Sequence, residues 1–337
     1  MKRPVRVLRV AISGAAVIVL SACVGLATAP AKFIHGPYKD VTLAFDSQTR
    51  LLSTEVLGRR QPVTAVLGLG STVSWGFATG ECGAETWGGL DTEAVSIANL
   101  AAFRSADIGY IISTGGEGGT FTCGSEVGME AFIRRYDAPG LAGIDFDIEA
   151  GQTPEQIQAL VRSVKAVQKG HPQLRYSFTL ATHAAADGSG RSLNRLGETV
   201  LSAIRSVGLT DFRLNLMVMN YGPAEAAFCV PEAGRCAMGR SALQAAENVS
   251  IRYGVPYAQI ELTAMLGEND VAANVFTLED ADMLVRFARE RGLGGLHYWS
   301  LDRDTPCPPG APRVSAICSG VSAPTGAFGR AFAAGLR

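Results

Sequence analysis

Residues 141–150 read Leu-Ala-Gly-Ile-Asp-Phe-Asp-Ile-Glu-Ala and set three acids, Asp145, Asp147 and Glu149, at alternate positions. Side chains on a β-strand alternate between its faces. The three carboxyls therefore share one face, and Ile144, Phe146 and Ile148 share the other. Like charges this close repel, and burial penalises each further, so at least one acid is expected to keep its proton at neutral pH. A carboxylic acid held neutral in this way can protonate a leaving group. The same alternation also suits the wet face of an edge strand, or calcium ligands. The surrounding elements decide.

Short apolar runs recur along the chain at 41–45, 63–69, 108–113, 143–149, 175–182, 213–221, 259–265 and 295–301, and each is expected to be a strand. Helix-like stretches lie between several of them. Thr153 is placed to cap a helix over 154–168 that opens on Pro154, and residues 278–289 carry acids early and arginines late, as the helix dipole favours. Eight strands with interleaved helices predict an α/β fold, a single-domain (β/α)8 barrel over residues 33–337. The competing open doubly wound sheet lacks support, because no Gly-x-Gly-x-x-Gly follows an early strand. In a barrel the apolar face of the acidic strand packs against helices, and the carboxyls line the interior with Glu149 nearest the C-terminal mouth.

The acidic run resembles the Asp-x-x-Asp-x-Asp-x-Glu signature of glycoside hydrolase family 18. Ser113-Thr114-Gly115-Gly116 resembles that family's strand-three Ser-x-Gly-Gly, and Met217-Val218-Met219-Asn220-Tyr221-Gly222 its strand-six Met-x-Met-Asp-Tyr-Gly. Tyr298-Trp299-Ser300 resembles the strand-eight end that supplies a tryptophan floor, and residues 261–270 are similar to the strand-seven region of a bacterial chitinase-like branch. The resemblance implies retaining hydrolysis of β-linked N-acetylglucosamine polymers such as chitin, with the sugar's own acetamido oxygen as nucleophile. It makes Glu149 the acid, and Asp147 the partner of the acetamido N–H. Asp145 would share a proton or hydrogen bond with Asp147, and Tyr221 would donate to the acetamido oxygen. Trp299, Met219 and Asn220 would bind the sugar, with Met217 as core filler. Trp75, Trp87 and Glu117 are expected in loops that border sugar subsites, and His183 and His297 are expected to be structural.

Two positions depart from the pattern. Ala142 stands where many members carry the first aspartate, and Asn220 where they carry the strand-six aspartate. Glu117 adds an acid after the glycine pair. Two other functions fit the same barrel: a binding module without catalysis, and an endo-β-N-acetylglucosaminidase acting on N-glycan cores or peptidoglycan.

The chain starts with Lys2, Arg3, Arg6 and Arg9 and an apolar run that ends in Leu20-Ser21-Ala22-Cys23. This reads as an export signal over 1–23, with a lipobox making Cys23 a lipid anchor, followed by a tether over 24–32. The protein is thus expected in the cell envelope, by preference at the outer membrane, or secreted, and as a monomer. The other six cysteines, Cys82, Cys123, Cys229, Cys236, Cys307 and Cys318, are an even set and read as disulfides. The expected pairs are the local 229–236 and 307–318, leaving 82–123. No Cys-x-x-Cys or His-x-x-x-His spacing suggests a metal, and no cofactor is expected. A formal net charge of −1 without a basic cluster beyond the signal argues against nucleic acid.

Overall fold

The computed structural model describes residue 1 and residues 33–335, apart from 57, 69 and 150. The expected export signal, Cys23 and the tether lie outside these residues. The described chain forms a closed barrel of parallel strands: β1 (Ile34–Asp40), β2 (Thr72–Ala78), β3 (Gly109–Gly115), β4 (Leu141–Asp147), β5 (Arg175–Ala181), β6 (Arg213–Met217), β7 (Ile260–Met265) and β8 (Gly295–Trp299). Each strand pairs with its sequence neighbours, and β8 closes on β1. The expected (β/α)8 architecture is the one found.

Helices α1 (Thr92–Ala106), α2 (Glu126–Tyr136), α3 (Pro154–Val167), α4 (Arg195–Val207), α5 (Met238–Tyr253), α6 (Leu278–Arg291) and α7 (Ala327–Ala334) surround it. In α3 the Thr153 side chain accepts from the Gln156 amide while the Gln156 side chain returns to the Thr153 backbone, closing a capping box. Thr277 and Asp280 do the same for α6. The buried face of α3, Ile157, Leu160, Val161, Val164 and Val167, follows the 3.6-residue period. Disulfides join Cys82–Cys123, Cys229–Cys236 and Cys307–Cys318, the expected pairing.

Two expected strands are corrected. Residues 41–44 form a turn, and the first barrel strand precedes them, carrying Gly36 and Pro37. Both residue types are poor strand formers, which hid the strand. Gly36 is required there, since a Cβ would lie 2.0 Å from the Thr72 carbonyl oxygen. The run at 63–69 holds a short helix, Val63–Val66, and the second strand follows at Thr72. Trp75 is consequently on β2 rather than in a loop. It is fully buried, with ring centroids 4.9 Å from both Phe103 and Tyr110. Trp87 is also fully buried and donates to the Tyr136 hydroxyl at 2.8 Å. Both tryptophans are core, not subsite walls.

The loop after β8 is tied to β1 by a buried ion pair. Lys39 donates to both Asp302 carboxylate oxygens, at 3.0 and 2.8 Å, and to the Asp40 and Leu43 carbonyls. Thr54 gives Asp302 a further bond at 2.8 Å. Removing one partner strands the other charge in a dry site. Lys39→Met is expected to destabilise the fold by about 3–5 kcal/mol, and Lys39→Met with Asp302→Leu by clearly less. Urea unfolding of both variants checks this, and equal losses would contradict it.

Candidate active site

The interior of the barrel is layered. At its floor Glu261 is buried, accepts from the Arg175 guanidinium and lies 3.3 Å from His297 Nε2. Burial opposes its charge, but Arg175, His297 and Arg213 outweigh that and hold the carboxyl at about 2. His297 is therefore a floor residue, as expected of a structural histidine. His183 also lies away from the cleft, its Nε2 3.1 Å from Arg191.

Above the floor sits Asp145. Its Oδ2 accepts from Tyr38 at 2.9 Å and Ser113 at 2.6 Å, and its Oδ1 from Ser177 and Thr179, each at 2.7 Å. Asn215 donates to Tyr38 and Thr179 at 2.8 Å and accepts from Thr263 at 2.8 Å, so hydroxyls and amide from β1, β3, β5, β6 and β7 form one ring of bonds. Burial still raises the Asp145 pKa, against the four hydroxyl donors. No hydrogen bond joins Asp145 to Asp147, contrary to the sequence expectation. The neighbouring strands already fill the Asp145 lone pairs.

Asp147 lies above, 5% exposed, and its Oδ1 has no hydrogen-bond partner. Burial, then Glu149, then Asp145 raise its pKa well above the ordinary carboxylate value. Glu149, half-buried at the mouth, is pushed up to about 7 by burial and then by Glu117. Asp147 and Glu149 thus titrate as a pair that resists holding two negative charges.

These two acids line a cavity of about 480 Å³ at the C-terminal end of the barrel. Trp299 forms part of its wall, stacked on Phe77 with centroids 5.7 Å apart. Met217, Met219, Asn220 and Glu117 also line it, so Met217 is a wall residue rather than filler. Sequence reading missed Tyr38, Phe77, Thr179, Thr263 and Met265, which share the lining. Strand parity could have found Thr179 and Thr263 once their strands were aligned with β4.

The glycine pair after β3 gives the acids their room. Gly115 has φ +85°, and a Cβ there would lie 2.1 Å from the Asp147 carbonyl oxygen. Gly116 has φ +79°, and its Cβ would strike the Phe77 ring at 2.8 Å. Only glycine fits either place.

Strand alternation does not set the position of Tyr221. Strand β6 stops at Met217, and Asn220 has φ +49°, so the alternation that would carry Tyr221 into the barrel is broken. Tyr221 is 3% exposed and absent from the cavity lining, and its hydroxyl has no partner. Asn220 meanwhile donates to Asp270 Oδ2 at 2.6 Å and accepts from the Val271 amide at 3.3 Å. An aspartate at 220 would face Asp270 as a like charge, so the amide fits this loop.

Among the described residues, the grouped metal-type ligands are Glu81, Cys82 and Cys123. The two sulfurs are joined to each other, which removes them as ligands.

A closed parallel barrel with a row of acids ending at its C-terminal mouth defines a (β/α)8 protein whose cleft is acidic. No family model matches the chain. It is 28% identical over 268 residues, 74% of its length, to an Escherichia coli protein named "Probable bifunctional chitinase/lysozyme". It is 25% identical over 291 residues, 82% of its length, to endochitinase 11 of Metarhizium anisopliae. The chain spans 29% and 53% of the lengths of these two relatives. The catalytic domain of a hyperthermophilic chitinase from Pyrococcus furiosus superposes with a TM-score of 0.68 at 25% identity, covering 90% of this chain and 95% of that one. The chain is thus similar to chitinases both in sequence and in fold.

Glu117 raises the proton affinity of Glu149 by adding a like charge at the mouth. Glu117→Gln removes that charge, so ionised Glu149 becomes less unfavourable and its pKa falls. A carboxyl-carbon NMR titration should show the Glu149 midpoint moving acidward by up to about one pH unit. An unmoved midpoint would mean burial alone sets it.

Proposed function

We propose that the protein hydrolyses β-1,4-linked N-acetylglucosamine polymers, chitin and chitooligosaccharides, with retention of configuration. The observation that carries this reading is the pairing, in one cavity, of a carboxyl near pKa 7 with a buried carboxylate oxygen that has no donor. The first can give a proton at neutral pH. The second needs an N–H, and an acetamido group provides one.

In this reading Glu149 protonates the glycosidic oxygen as the bond from C1 to the leaving sugar breaks. The acetamido carbonyl oxygen attacks C1 and forms a cyclic oxazolinium ion, while Asp147 accepts from the acetamido N–H and stabilises the developing positive charge. Glu149, now a carboxylate, takes a proton from water as it adds to C1. The ring opens, the acetamido group is restored and Glu149 is again protonated. Two inversions at C1 give retention. Asp145, bonded into the hydroxyl ring, fixes the strand that carries Asp147, and Trp299 with Met217 and Met219 forms the apolar wall against the sugar. Glycans lacking an acetamido group have no nucleophile here.

Glu149→Gln should lower cleavage of chitooligosaccharides at least about a hundredfold while leaving binding within a few-fold, by mass spectrometry of products and calorimetry. Wild-type protein that binds these oligomers without cutting them would support the lectin-like reading instead. Tyr221→Phe is a second test. If the unpaired phenol donates to the acetamido oxygen, kcat falls about ten- to a hundredfold; unchanged kcat and stability would leave Tyr221 as core.

The three disulfides favour an oxidising compartment, and export through the residue 1–23 segment fits them. We read Cys23 as a lipid anchor on a monomeric protein of the cell envelope, at the outer membrane. No described helix is long and apolar enough to cross a membrane.

A further inference from the structure

Five acidic residues line the cleft, Asp40, Glu117, Asp147, Glu149 and Asp270, and among the described residues no lysine, arginine or histidine lines it. Their surroundings differ. Asp147 and Glu149 both resist ionisation through burial. Asp40 accepts from the Thr42 amide at 2.9 Å and hydroxyl at 2.7 Å, and the buried Lys39 ammonium lies close by. Asp270 accepts from Asn220 and has the Arg303 guanidinium behind it. Glu117 is exposed on the loop after β3 and has no hydrogen bond or ion pair to another described residue. Its charge therefore acts on whatever enters the cleft. At the floor the unpartnered Oδ1 of Asp147, on a side chain 5% exposed, also calls for a donor from a ligand.

We propose that the cleft selects N-acetylglucosamine glycans whose neighbouring sugars carry protonated amines and disfavours glycans that carry carboxylates, with Glu117 as the specificity-determining residue. The inference rests on the hydrolase reading above. A concave site lined by one sign of charge focuses its field on the opening, where a cationic sugar gains and an anionic one loses. The sugar that is cut must keep its acetamido group, so selection acts on the sugars beside it. Partly deacetylated chitin supplies amines at those places. Peptidoglycan strands stripped of their stem peptides supply a lactyl carboxylate on every second sugar. The proton that Glu149 must hold also favours a working range on the acid side of 7, where an amino sugar is charged.

The test sequences the products that the full-length protein releases from partly deacetylated chitin, by mass spectrometry, at low and high salt. Glucosamine beside the cleaved bond is expected about two- to five-fold above its random frequency at low salt, the range for one exposed charge pair. High salt and Glu117→Gln should each bring it towards random. Neutral chitooligosaccharides should be cut faster than strands alternating with N-acetylmuramic acid, and Glu117→Gln should narrow that gap. Random flanking sugars in the wild type, or the same enrichment in Glu117→Gln, would overturn the proposal while leaving the hydrolase intact. Failure to cut neutral oligomers at all would remove the hydrolase reading and this selection together. Glu117 is exposed and has no hydrogen bond or ion pair to another described residue, so the variant tests charge rather than folding.

Discussion

Four hydroxyls on one carboxylate hold this site together. Asp145 is donated to by Tyr38, Ser113, Ser177 and Thr179, from the three strands β1, β3 and β5. Hydroxyl hydrogen bonds to a charged acceptor are each stronger than neutral ones, and here they converge where water does not reach. They fix the height and rotation of β4 against its neighbours. Everything above Asp145 on that strand inherits this position: Asp147 two residues on, and Glu149 four residues on. A barrel interior is more often filled with branched apolar side chains. This one uses small hydroxyls because a buried carboxylate must be hydrogen-bonded to be tolerated.

The hydroxyl ring also accounts for the asymmetry among the three acids. Asp145 consumes the local donors, so none is left for Asp147, whose Oδ1 stays unpaired. A charge on Asp147 is then opposed by burial and by carboxylates on either side. Glu149 has partial access to water at the mouth, which brings its proton affinity near neutrality rather than far above it. A gradient of solvation along one strand thereby gives three chemically similar groups different proton affinities. The Glu261–Arg175 pair beneath is part of the same order, with its full charge paired at the floor and away from the chemistry.

Much of this was legible in the residue order. The period-two row of acids fixed which side chains share a face, and the helix cap at Thr153 follows from local chemistry. The expected disulfide pairs came from the even count and short spacings. What escaped was set by contacts distant in sequence. The first strand contains Gly36 and Pro37, tolerated because the Thr72 backbone approaches so closely, and no local propensity reports that. Trp75 and Trp87 look like loop aromatics until the strand boundary moves and both enter the core. Parity alone cannot place Tyr221, because one left-handed residue, Asn220, ends the alternation that the sequence suggested.

Asn220 also illustrates why a departure from a family pattern need not weaken a site. An acid at that position could serve a cleft whose opposite loop is neutral. Here that loop presents Asp270, and the amide converts a repulsion into a 2.6 Å hydrogen bond that ties the end of β6 to the loop after β7. The cleft keeps its negative wall without placing two charges in contact, and Met219 and Met265 remain available as apolar surface on either side of the bond. Glu117, on the loop after β3, supplies a further negative charge close enough to act on Glu149. Pattern and compensation belong to the same electrostatic balance, and the position of each charge matters more than the identity of any one residue.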